Sequence, residues 1–227
     1  MSVDQTHPIE WRRGHLPVSL RFDDPYFSLD NGLAETRHVF LAGNGLPQRF
    51  HDGFHIAELG FGTGLNLLAA LALWRETGQT GTLRFTTFEA FALSGAQITE
   101  AHRAFPELAG LSAELAPLLQ AGPGRYAHGA LHFELIPGDA RTTLPEWQGK
   151  ADAWFLDGFS PAKNPELWAP DLMQQVADHT APGGTAATYT AAGHVRRALA
   201  AAGFTVTRAP GHGRKRHMTT CIRAPAR

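Results

Sequence analysis

Residues 54–66 read Phe54-His-Ile-Ala-Glu58-Leu-Gly60-Phe-Gly62-Thr63-Gly64-Leu-Asn66. The stretch begins as a short apolar run typical of a buried strand, passes through three glycines at alternate positions, and continues into a helical pattern over residues 64–76. Glycine lets the backbone turn sharply and approach a ligand closely, and a helix N-terminus presents unpaired N–H groups. A strand, a glycine turn and a helix in this order predict a site for a nucleotide-like ligand.

Apolar strand-like runs alternate with helical patterns from residue 54 onward, which predicts an α/β fold with a doubly wound, mostly parallel sheet. The seven predicted strands are residues 54–59, 83–89, 131–136, 153–157, 185–190, 204–208 and 217–222. The predicted helices are residues 64–76, 94–105, 107–120, 165–180 and 194–202. Only residues 209–216 separate the last two strands, too few for a parallel crossover, so we expect the last strand to pair antiparallel in a terminal hairpin.

The first fifty residues have a different pattern of predicted elements. A strand pair is expected within residues 11–22, a turn at residues 23–28 and a short helix at residues 31–41. We expect residues 1–50 to form an extension packed on the core, either as a lid over the ligand-binding edge or as a simple packing element. Residues 51–227 are expected to form the main domain, and the whole chain one structural unit.

The composition is that of a globular domain. Hydrophobic residues make up 43% of the 227 positions and charged residues 18%, which excludes disordered, collagen-like and coiled-coil chains. The single cysteine, Cys221, has no internal disulfide partner, and no apolar run reaches the length of a signal core or a bilayer span. We therefore expect a cytoplasmic protein without a membrane segment. The twelve histidines form no ligand motif, so no metal is expected.

Basic residues are concentrated near the C-terminus. Residues 179–227 hold eight Lys and Arg and no Asp or Glu, whereas residues 1–178 hold 12 basic and 21 acidic residues. The basic end is either the electrostatic footprint of a phosphate-rich partner or a solvated surface that balances an acidic body. Its members are Arg196, Arg197, Arg208, Arg214, Lys215, Arg216, Arg223 and Arg227.

Two cofactor classes compete for the glycine turn. A dinucleotide site would have Gly or Ala at position 65, where this chain has Leu65, and its fingerprint gives no role to Glu58. The pattern Glu-x-Gly-x-Gly-x-Gly is instead similar to the first motif of S-adenosylmethionine-dependent methyltransferases. Glu89 ends the second strand, where a carboxylate can accept from both ribose hydroxyls. Asp139, after Gly138, could accept from an adenine amino group.

A third polar stretch follows the fourth strand. The strand delivers Asp157 to its C-terminal end, and open α/β sheets bind ligands outside the carboxyl ends of their strands. The Pro-rich turn that follows carries Phe159, Lys163 and Asn164. Turn chemistry accounts for the prolines but not for an Asp, an aromatic, a Lys and an Asn within eight residues, so we expect a functional loop.

Several long stretches together resemble the methyltransferase domain of the MnmC family over residues 10–222. They are Asp157-Gly-Phe159-Ser-Pro161-Ala-Lys163-Asn164-Pro165-Glu-Leu-Trp168, Phe22-Asp-Asp-Pro-Tyr26-Phe27-Ser28-Leu-Asp30-Asn31-Gly32-Leu-Ala-Glu35-Thr36-Arg37, Gly60-Phe-Gly-Thr-Gly-Leu-Asn66, Tyr189-Thr-Ala-Ala-Gly193-His-Val-Arg196-Arg197 and Gly211-His-Gly-Arg214-Lys215-Arg216. The resemblance implies a Rossmann-like class I methyltransferase fold that uses S-adenosylmethionine.

The implied reaction moves the methyl group of S-adenosylmethionine to the primary amine of 5-aminomethyl-(2-thio)uridine at wobble position 34 of tRNA, giving 5-methylaminomethyl-(2-thio)uridine. In many relatives a fused C-terminal flavin (FAD)-dependent oxidoreductase makes the amine. No oxidoreductase follows Arg227 in this sequence, so we expect either a stand-alone enzyme or a piece of a longer one. The expected partners are the tRNA anticodon stem-loop and an enzyme, an FAD-dependent oxidoreductase or another, that supplies the aminomethyl intermediate.

These inferences assign roles to individual residues. An alkylammonium has a pKa of ~10.4, so the site must remove a proton, and Asp157 is the predicted catalytic residue. The predicted cofactor-binding residues are Glu58, Gly60, Gly62, Thr63, Gly64, Asn66, Glu89, Gly138, Asp139 and Asp157. A splayed base stacks on aromatic rings and its phosphates meet basic side chains. The predicted RNA-binding residues are Tyr26, Phe27, Phe159, Lys163, Asn164, Tyr189, Arg196, Arg214, Lys215 and Arg216.

Two other functions share parts of this pattern. A nicotinamide-dependent oxidoreductase would use the same glycine turn and Glu89, although Leu65 and the Asp157 loop count against it. A non-catalytic RNA-binding protein could also be built on a methyltransferase fold. That alternative predicts loss of the glycines or acidic residues of the site, and Glu58, Glu89, Asp139 and Asp157 are all present.

Overall fold

The structure is a computed structural model that describes residues 8–28 and 31–224. Its strands are β1 (Ile9–Arg12), β2 (Leu16–Ser19), β3 (Asp24–Pro25), β4 (His55–Leu59), β5 (Leu83–Glu89), β6 (Gly124–His128), β7 (Leu131–Pro137), β8 (Ala151–Leu156), β9 (Thr180–Thr188), β10 (Phe204–Pro210) and β11 (His217–Arg223). Its α-helices are α1 (Gly32–Thr36), α2 (Leu65–Glu76), α3 (Gly95–His102), α4 (Ala109–Ala121), α5 (Ala140–Glu146), α6 (Pro170–Asp178) and α7 (Gly193–Ala201). Arg227 and residues 1–7, 29–30 and 225–226 lie outside the described residues.

Eight strands form the main sheet in the order β10-β11-β9-β8-β4-β5-β7-β6. The five central strands β9, β8, β4, β5 and β7 are parallel, and β11 is antiparallel to both of its neighbours. The terminal hairpin is therefore confirmed, and β11 inserts between β9 and β10. Because the parallel strands end at one edge, the residues that follow β4, β5 and β8 meet there.

The prediction of seven strands with one antiparallel strand is wrong by one strand. The eighth strand, β6, pairs antiparallel with β7 through the tight turn at Gly129. Its sequence, Gly-Arg-Tyr-Ala-His, has no alternation of apolar residues, because it is an edge strand and only Tyr126 packs against the core, where its ring stacks on Phe133. Nothing in the hydrophobic pattern distinguishes it from a loop.

Helices cover both faces of the sheet, and alternate side chains of each strand enter the two cores. On β8, Phe155 contributes to the core formed with α2 and α4, while Trp154 and Leu156 contribute to the core formed with α6 and α7. All three of these side chains have 1% exposure or less. Within the described residues, no helix combines the length and apolar character needed to cross a bilayer.

Two helical regions differ from the sequence prediction. The helix predicted at residues 165–180 is divided into a 3-10 turn, Pro165–Trp168, and α6, because Pro170 keeps Ala169 out of the helical region and in an extended conformation. Helix α5 was not predicted. It has seven residues, begins at the Asp139 cap and contains Pro145, so it carries little helical pattern.

The N-terminal segment forms a small sheet and a helical turn against the carboxyl edge of the main sheet. Strands β1, β2 and β3 are antiparallel, as expected for the strand pair. The expected helix at residues 31–41 is present as α1 followed by a π-helical turn, Arg37–Leu41. Val39, Phe40 and Leu41 are buried in the core with α2, so this part of the segment is integral to the fold.

Candidate active site

The glycine turn after β4 lies directly against the loop that follows β8. Gly60, Gly62 and Gly64 all have positive φ, at 86°, 53° and 74°, which favours glycine at each position. A Cβ atom on Gly60 would lie 2.1 Å from the carbonyl oxygen of Asp157. The close approach of these two chain segments therefore requires glycine at position 60.

Asp157 is held by a chain of side-chain hydrogen bonds. The Asn66 amide nitrogen, in the first turn of α2, donates to Asp157 Oδ2 at 2.7 Å and to Glu58 Oε1 at 2.9 Å. The Asn66 oxygen accepts from the Thr36 hydroxyl at 3.0 Å. Glu58 is fully buried and also contacts the Thr87 hydroxyl at 2.8 Å. Glu58 can thus act on the site through Asn66, whose side chain it orients.

The Asp157 carboxyl group has an unusual protonation equilibrium. Burial raises its pKa to about 7, the hydrogen bond from Asn66 opposes that rise, and the negative charge of Glu35 adds to it. The positive charge of Lys215 acts in the opposite direction. A carboxyl group with a pKa near neutrality can both accept and release a proton at physiological pH.

Glu89 is tied to the glycine turn. Its Oε2 accepts the Gly62 N–H at 2.9 Å and its Oε1 accepts the Phe91 N–H at 2.7 Å. Burial raises the pKa of Glu89.

Tyr26 covers the glycine turn. Its ring lies over Gly62, where an added Cβ atom would be 3.1 Å from the ring. The Tyr26 hydroxyl is buried without a hydrogen-bond partner. Burial, with a smaller effect of Glu89, raises the Tyr26 pKa, so this hydroxyl is a neutral donor.

Thr63 is held from behind by a histidine that the sequence analysis did not select. The His102 Nε2 lies 2.7 Å from the Thr63 carbonyl oxygen, and its Nδ1 lies 2.7 Å from the Ser112 hydroxyl. A carbonyl oxygen only accepts, so Nε2 carries the proton and Nδ1 accepts from Ser112. Burial lowers the His102 pKa, in agreement with a neutral ring.

An aromatic cluster lies between the N-terminal segment and the loop after β8. Phe159 stacks on Phe22 with ring centroids 4.6 Å apart and meets the edge of Tyr26 at 5.1 Å. Phe22 also packs on Phe91 at 5.6 Å. Phe27, in contrast, turns away from this cluster and packs on Phe105 at 4.9 Å.

Lys163 and Asn164 contribute to the same junction. The Lys163 ammonium group donates to the Asp23 carbonyl oxygen and lies 3.7 Å from Asp24 Oδ1. Asp24 Oδ2 also accepts the Ser160 N–H at 2.9 Å. The Asn164 N–H donates to the Ser160 carbonyl oxygen at 2.9 Å. In this structure Lys163 holds the loop to the N-terminal segment, and Asn164 stabilises the turn within the loop.

Tyr189 and Lys215 lie together at the rim. The Tyr189 hydroxyl donates to the Gly158 carbonyl oxygen at 2.7 Å, and burial raises its pKa. The Lys215 ammonium group lies 4.0 Å from the centroid of the Tyr189 ring and 2.7 Å from Glu35 Oε1. Glu35 and Thr36 were quoted in the sequence analysis but given no role. Only the fold brings them to Asp157, since they precede it by more than 100 residues.

The remaining predicted residues lie further from Asp157 or point elsewhere. The Gly138 N–H donates to the Glu89 carbonyl oxygen at 2.9 Å, so Gly138 lies at the site edge. Asp139 caps α5 and pairs with Arg141 at 2.5 Å, which lowers its pKa. Arg196 is half-buried, and its Nε has no hydrogen-bond partner. Arg214 and Arg216 are exposed in the turn between β10 and β11.

The arrangement has the features of a nucleotide-like cofactor site. A glycine turn with positive φ values joins β4 to α2, a carboxylate stands at the end of β5, and the ring of Tyr26, whose hydroxyl has no partner, packs over the same turn. Within residues 8–28 and 31–224, no group of three or more His, Cys, Asp or Glu side chains converges as a metal site would require.

Comparison with known proteins identifies the family. Residues 113–224 match a family described as S-adenosyl-L-methionine-dependent methyltransferase. A protein of Aeromonas salmonicida (strain A449) named "tRNA 5-methylaminomethyl-2-thiouridine biosynthesis bifunctional protein MnmC" is 46% identical over 224 residues, which are 91% of this chain and 34% of that protein. A Pseudomonas aeruginosa (strain UCBPP-PA14) protein of the same name is 45% identical over 229 residues, 96% of this chain and 35% of its own length.

The chain belongs to the MnmC family. It spans about a third of the length of these curated relatives. Among solved structures, the crystal structure of MNMC2 from Aquifex aeolicus is similar, with a TM-score of 0.77 and 28% identity over 93% of this chain and 69% of that chain. The expectation of a Rossmann-like methyltransferase fold is confirmed.

Membership of the MnmC family also decides between the two cofactor classes left open by the glycine turn. The matching family is defined by S-adenosylmethionine-dependent methyl transfer, so the predicted cofactor and the predicted class of enzyme are confirmed, and the nicotinamide-dependent alternative is wrong. The roles of single site residues are not decided by this membership and stay predictions.

Proposed function

We propose that this chain transfers the methyl group of S-adenosylmethionine to the primary amine of 5-aminomethyl-(2-thio)uridine at wobble position 34 of tRNA. The observation that carries the proposal is the Asp157 carboxyl group, which lies beside the glycine turn, is oriented by Asn66 and has a pKa of about 7. An amine acceptor needs such a group, whereas an acceptor without an ionisable proton does not.

The residues around the glycine turn fit the cofactor. When bound, S-adenosylmethionine supplies an electrophilic methyl group on a sulfonium centre. The turn of Gly60, Gly62 and Gly64 joins β4 to the N-terminus of α2, where unpaired N–H groups can meet a ligand, and Glu89 offers lone pairs to ribose hydroxyls while it keeps its bonds to backbone N–H groups. The Tyr26 hydroxyl, which is buried without a partner, would gain one from a ligand in this cradle.

Asp157 is proposed to accept, directly or through water, the proton that the substrate amine must lose. An alkylammonium has a pKa of ~10.4, so transfer of its proton to a carboxylate of ordinary pKa is strongly unfavourable. The rise of the Asp157 pKa from 3.8 to about 7 reduces this cost by about 4 kcal/mol. Alignment of the amine with the methyl group can lower the activation free energy by a further ~7–11 kcal/mol. Positioning is therefore the larger contribution.

The RNA is proposed to approach across the rim of the site. Phe159 and Tyr189 offer aromatic rings to a splayed base, and Arg214 and Arg216 project from the turn between β10 and β11. Lys163 and Asn164, in the loop after β8, and Arg196, in α7, are the other proposed RNA contacts. The proposed partner is an FAD-dependent oxidoreductase, or another enzyme, that forms the aminomethyl group. The cytoplasm is the proposed location.

We also propose that residues 1–50 form an extension packed on the core, whose part near residues 22–26 acts as a lid, and that residues 51–227 form the catalytic domain, within one structural unit. Three contacts support this division. Asp24 accepts the Ser160 N–H, Phe22 stacks on Phe159, and Tyr26 covers Gly62. All three join the N-terminal segment to the edge at which the cofactor and the base would enter.

The test is transfer of labelled methyl from S-adenosylmethionine to tRNA that carries 5-aminomethyl-(2-thio)uridine, followed by nucleoside analysis. Label is expected in 5-methylaminomethyl-(2-thio)uridine, and only with the undermodified tRNA. Fully modified tRNA serves as the control. Cofactor binding without transfer to this tRNA would contradict the wobble-uridine assignment and leave the methyltransferase family unchanged.

A further inference from the structure

The ammonium group of Lys215 is held within the candidate active site. It forms an ion pair with Glu35 at 2.7 Å and lies 4.0 Å from the centroid of the Tyr189 ring. The Glu35 side chain is only 12% exposed, whereas that of Lys215 is 44% exposed. The carboxylate is thus the fixed, buried member of the pair, and the lysine reaches it from the surface.

This ion pair borders the catalytic carboxyl group. Glu35 immediately precedes Thr36, whose hydroxyl donates to Asn66, and Asn66 donates to Asp157. The Tyr189 hydroxyl is anchored on the carbonyl oxygen of Gly158, the residue after Asp157. The chain segments that carry Glu35 and Tyr189 are therefore tied by hydrogen bonds to Asp157 or to the residue after it.

A buried carboxylate and an aromatic face together form a good binding site for an alkylammonium ion. The carboxylate supplies a charge-assisted hydrogen bond and the ring supplies cation–π attraction. A lysine side chain ends in a primary alkylammonium group, and so does the 5-aminomethyl substituent of the substrate. The lysine therefore occupies a site whose chemistry matches the reacting group of the substrate.

We propose that Glu35 and the Tyr189 ring bind the ammonium group of the substrate, and that Lys215 occupies this position until RNA displaces it. The inference rests on the proposed function and adds to it a residue that determines specificity, Glu35. The exchange replaces one cation by another, so Glu35 never remains buried beside Asp157 without a counter-charge. Removal of the proton stays with Asp157, and the displaced Lys215 becomes available to RNA phosphates next to Arg214 and Arg216.

The test compares the binding of two anticodon stem-loop RNAs that differ only at position 34. One carries 5-aminomethyluridine, and the other carries uridine and has no ammonium group. Binding is measured with S-adenosylhomocysteine present, so that no turnover occurs. The readout is the preference, defined as the dissociation constant of the uridine RNA divided by that of the aminomethyluridine RNA. A change that only disturbs the structure affects both constants equally and leaves this ratio unchanged.

Glu35→Gln is expected to lower the preference about tenfold, the size of a charge-assisted hydrogen bond to an ammonium group. Its affinity for the uridine RNA should remain within about twofold of the original value. Lys215→Met retains the stem and removes the charge, and it should raise the preference because the competing cation is gone. Lys150→Met, at an exposed lysine beside the other edge of the sheet, is the matched control and should leave the preference unchanged.

The outcomes separate this inference from the proposed function. An unchanged preference in Glu35→Gln, or an equal loss of affinity for both RNAs, would overturn the inference. If Glu35→Gln does not fold, Lys215→Met decides, since an unchanged or lower preference would overturn it as well. If the unsubstituted protein methylates the aminomethyl RNA but binds both RNAs with equal affinity, only the inference is overturned. If the unsubstituted protein transfers no methyl group to the aminomethyl RNA, the proposed function is overturned.

Discussion

Asp157 combines a partly buried position with a hydrogen bond from Asn66, and these two features set the pH dependence expected of the enzyme. A carboxyl group with a pKa of about 7 accepts a proton only when it is ionised, so kcat should rise as the pH increases through about 7. Asp157→Asn should lower kcat by about 10²–10⁴-fold, the usual contribution of a positioned base. Single-turnover methyl transfer between pH 5.5 and 9 measures both effects.

Cofactor affinity provides the control for this variant. The amide introduced by Asp157→Asn would retain the bond from Asn66 through its carbonyl oxygen, so the dissociation constant of S-adenosylhomocysteine, measured by calorimetry, should change far less than kcat. Equal losses in turnover and affinity would make Asp157 a cofactor-binding residue and remove it from the proton-transfer step.

The same substitution should stabilise the fold. The folded-state pKa of Asp157 lies above the ordinary value of 3.8, so the stabilising contribution of the protonated form is present below pH 3.8 and is lost as the pH rises through about 7. At pH 8 Asp157→Asn avoids the burial of a charge and should raise the free energy of unfolding by about 1–3 kcal/mol. Thermal melts at pH 8 should show a Tm increase of several degrees, and this increase should shrink towards pH 4.

Some site residues could be predicted from the sequence and others could not. The position of Asp157 followed from a buried strand whose carboxyl end meets the ligand-binding edge, and the need for glycine at position 60 followed from the sharp turn. Glu35 and His102 gave no comparable signal. Each acts through a partner far away in the chain, Lys215 and the Thr63 carbonyl oxygen respectively, and a local pattern contains no information about such pairs.

At the scale of elements, the glycine turn is held from two sides. Glu89 accepts the Gly62 N–H, and His102 donates to the Thr63 carbonyl oxygen while its other nitrogen accepts from Ser112. His102→Ala removes the donor and leaves a buried carbonyl oxygen unpaired, at a cost of about 1–3 kcal/mol. We expect the Tm to fall and affinity for S-adenosylhomocysteine to drop about tenfold, because the cradle loses its fixed shape.

His128→Ala is the matched control for this prediction. His128 also bonds to a side chain, that of Glu114, but it is 44% exposed and lies away from the glycine turn. It should change neither the Tm nor the affinity appreciably. A His102→Ala variant that melts earlier but binds S-adenosylhomocysteine with unchanged affinity would restrict His102 to a structural role.

The elements that the sequence predicted correctly are those with a core face. Strand β8 carries an almost continuous apolar run because it is covered on both sides, and β7 alternates apolar and polar residues. The ends of the five central strands were placed within a few residues except at β9, which begins at Thr180. Strand β6 and helix α5 were missed for the opposite reason. Each is short and lies at an edge or after a turn, so tertiary pairing determines its structure more than its own pattern does.

At the scale of the whole molecule, the fold brings part of the basic C-terminal region to the rim of the candidate active site. Arg214 and Arg216 lie in the turn between β10 and β11, beside the rim that holds Lys215 and Tyr189. The double variant Arg214→Gln with Arg216→Gln should weaken tRNA binding and reduce the slope of log K against log salt by about 1.5, since each phosphate contact contributes about 0.7–0.9. Fluorescence titrations between 50 and 300 mM salt measure the slope.

The control for the charge prediction removes two basic residues from the opposite edge of the sheet. Arg84, near the start of β5, and Lys150, just before β8, are both exposed. The pair Arg84→Gln with Lys150→Gln changes the net charge by the same amount, so a general electrostatic effect would reduce the slope equally in both double variants. A slope that falls only in the Arg214 and Arg216 variant would locate the RNA backbone at the rim. Equal slopes in both would make the basic C-terminal region a solvated surface that balances the acidic body.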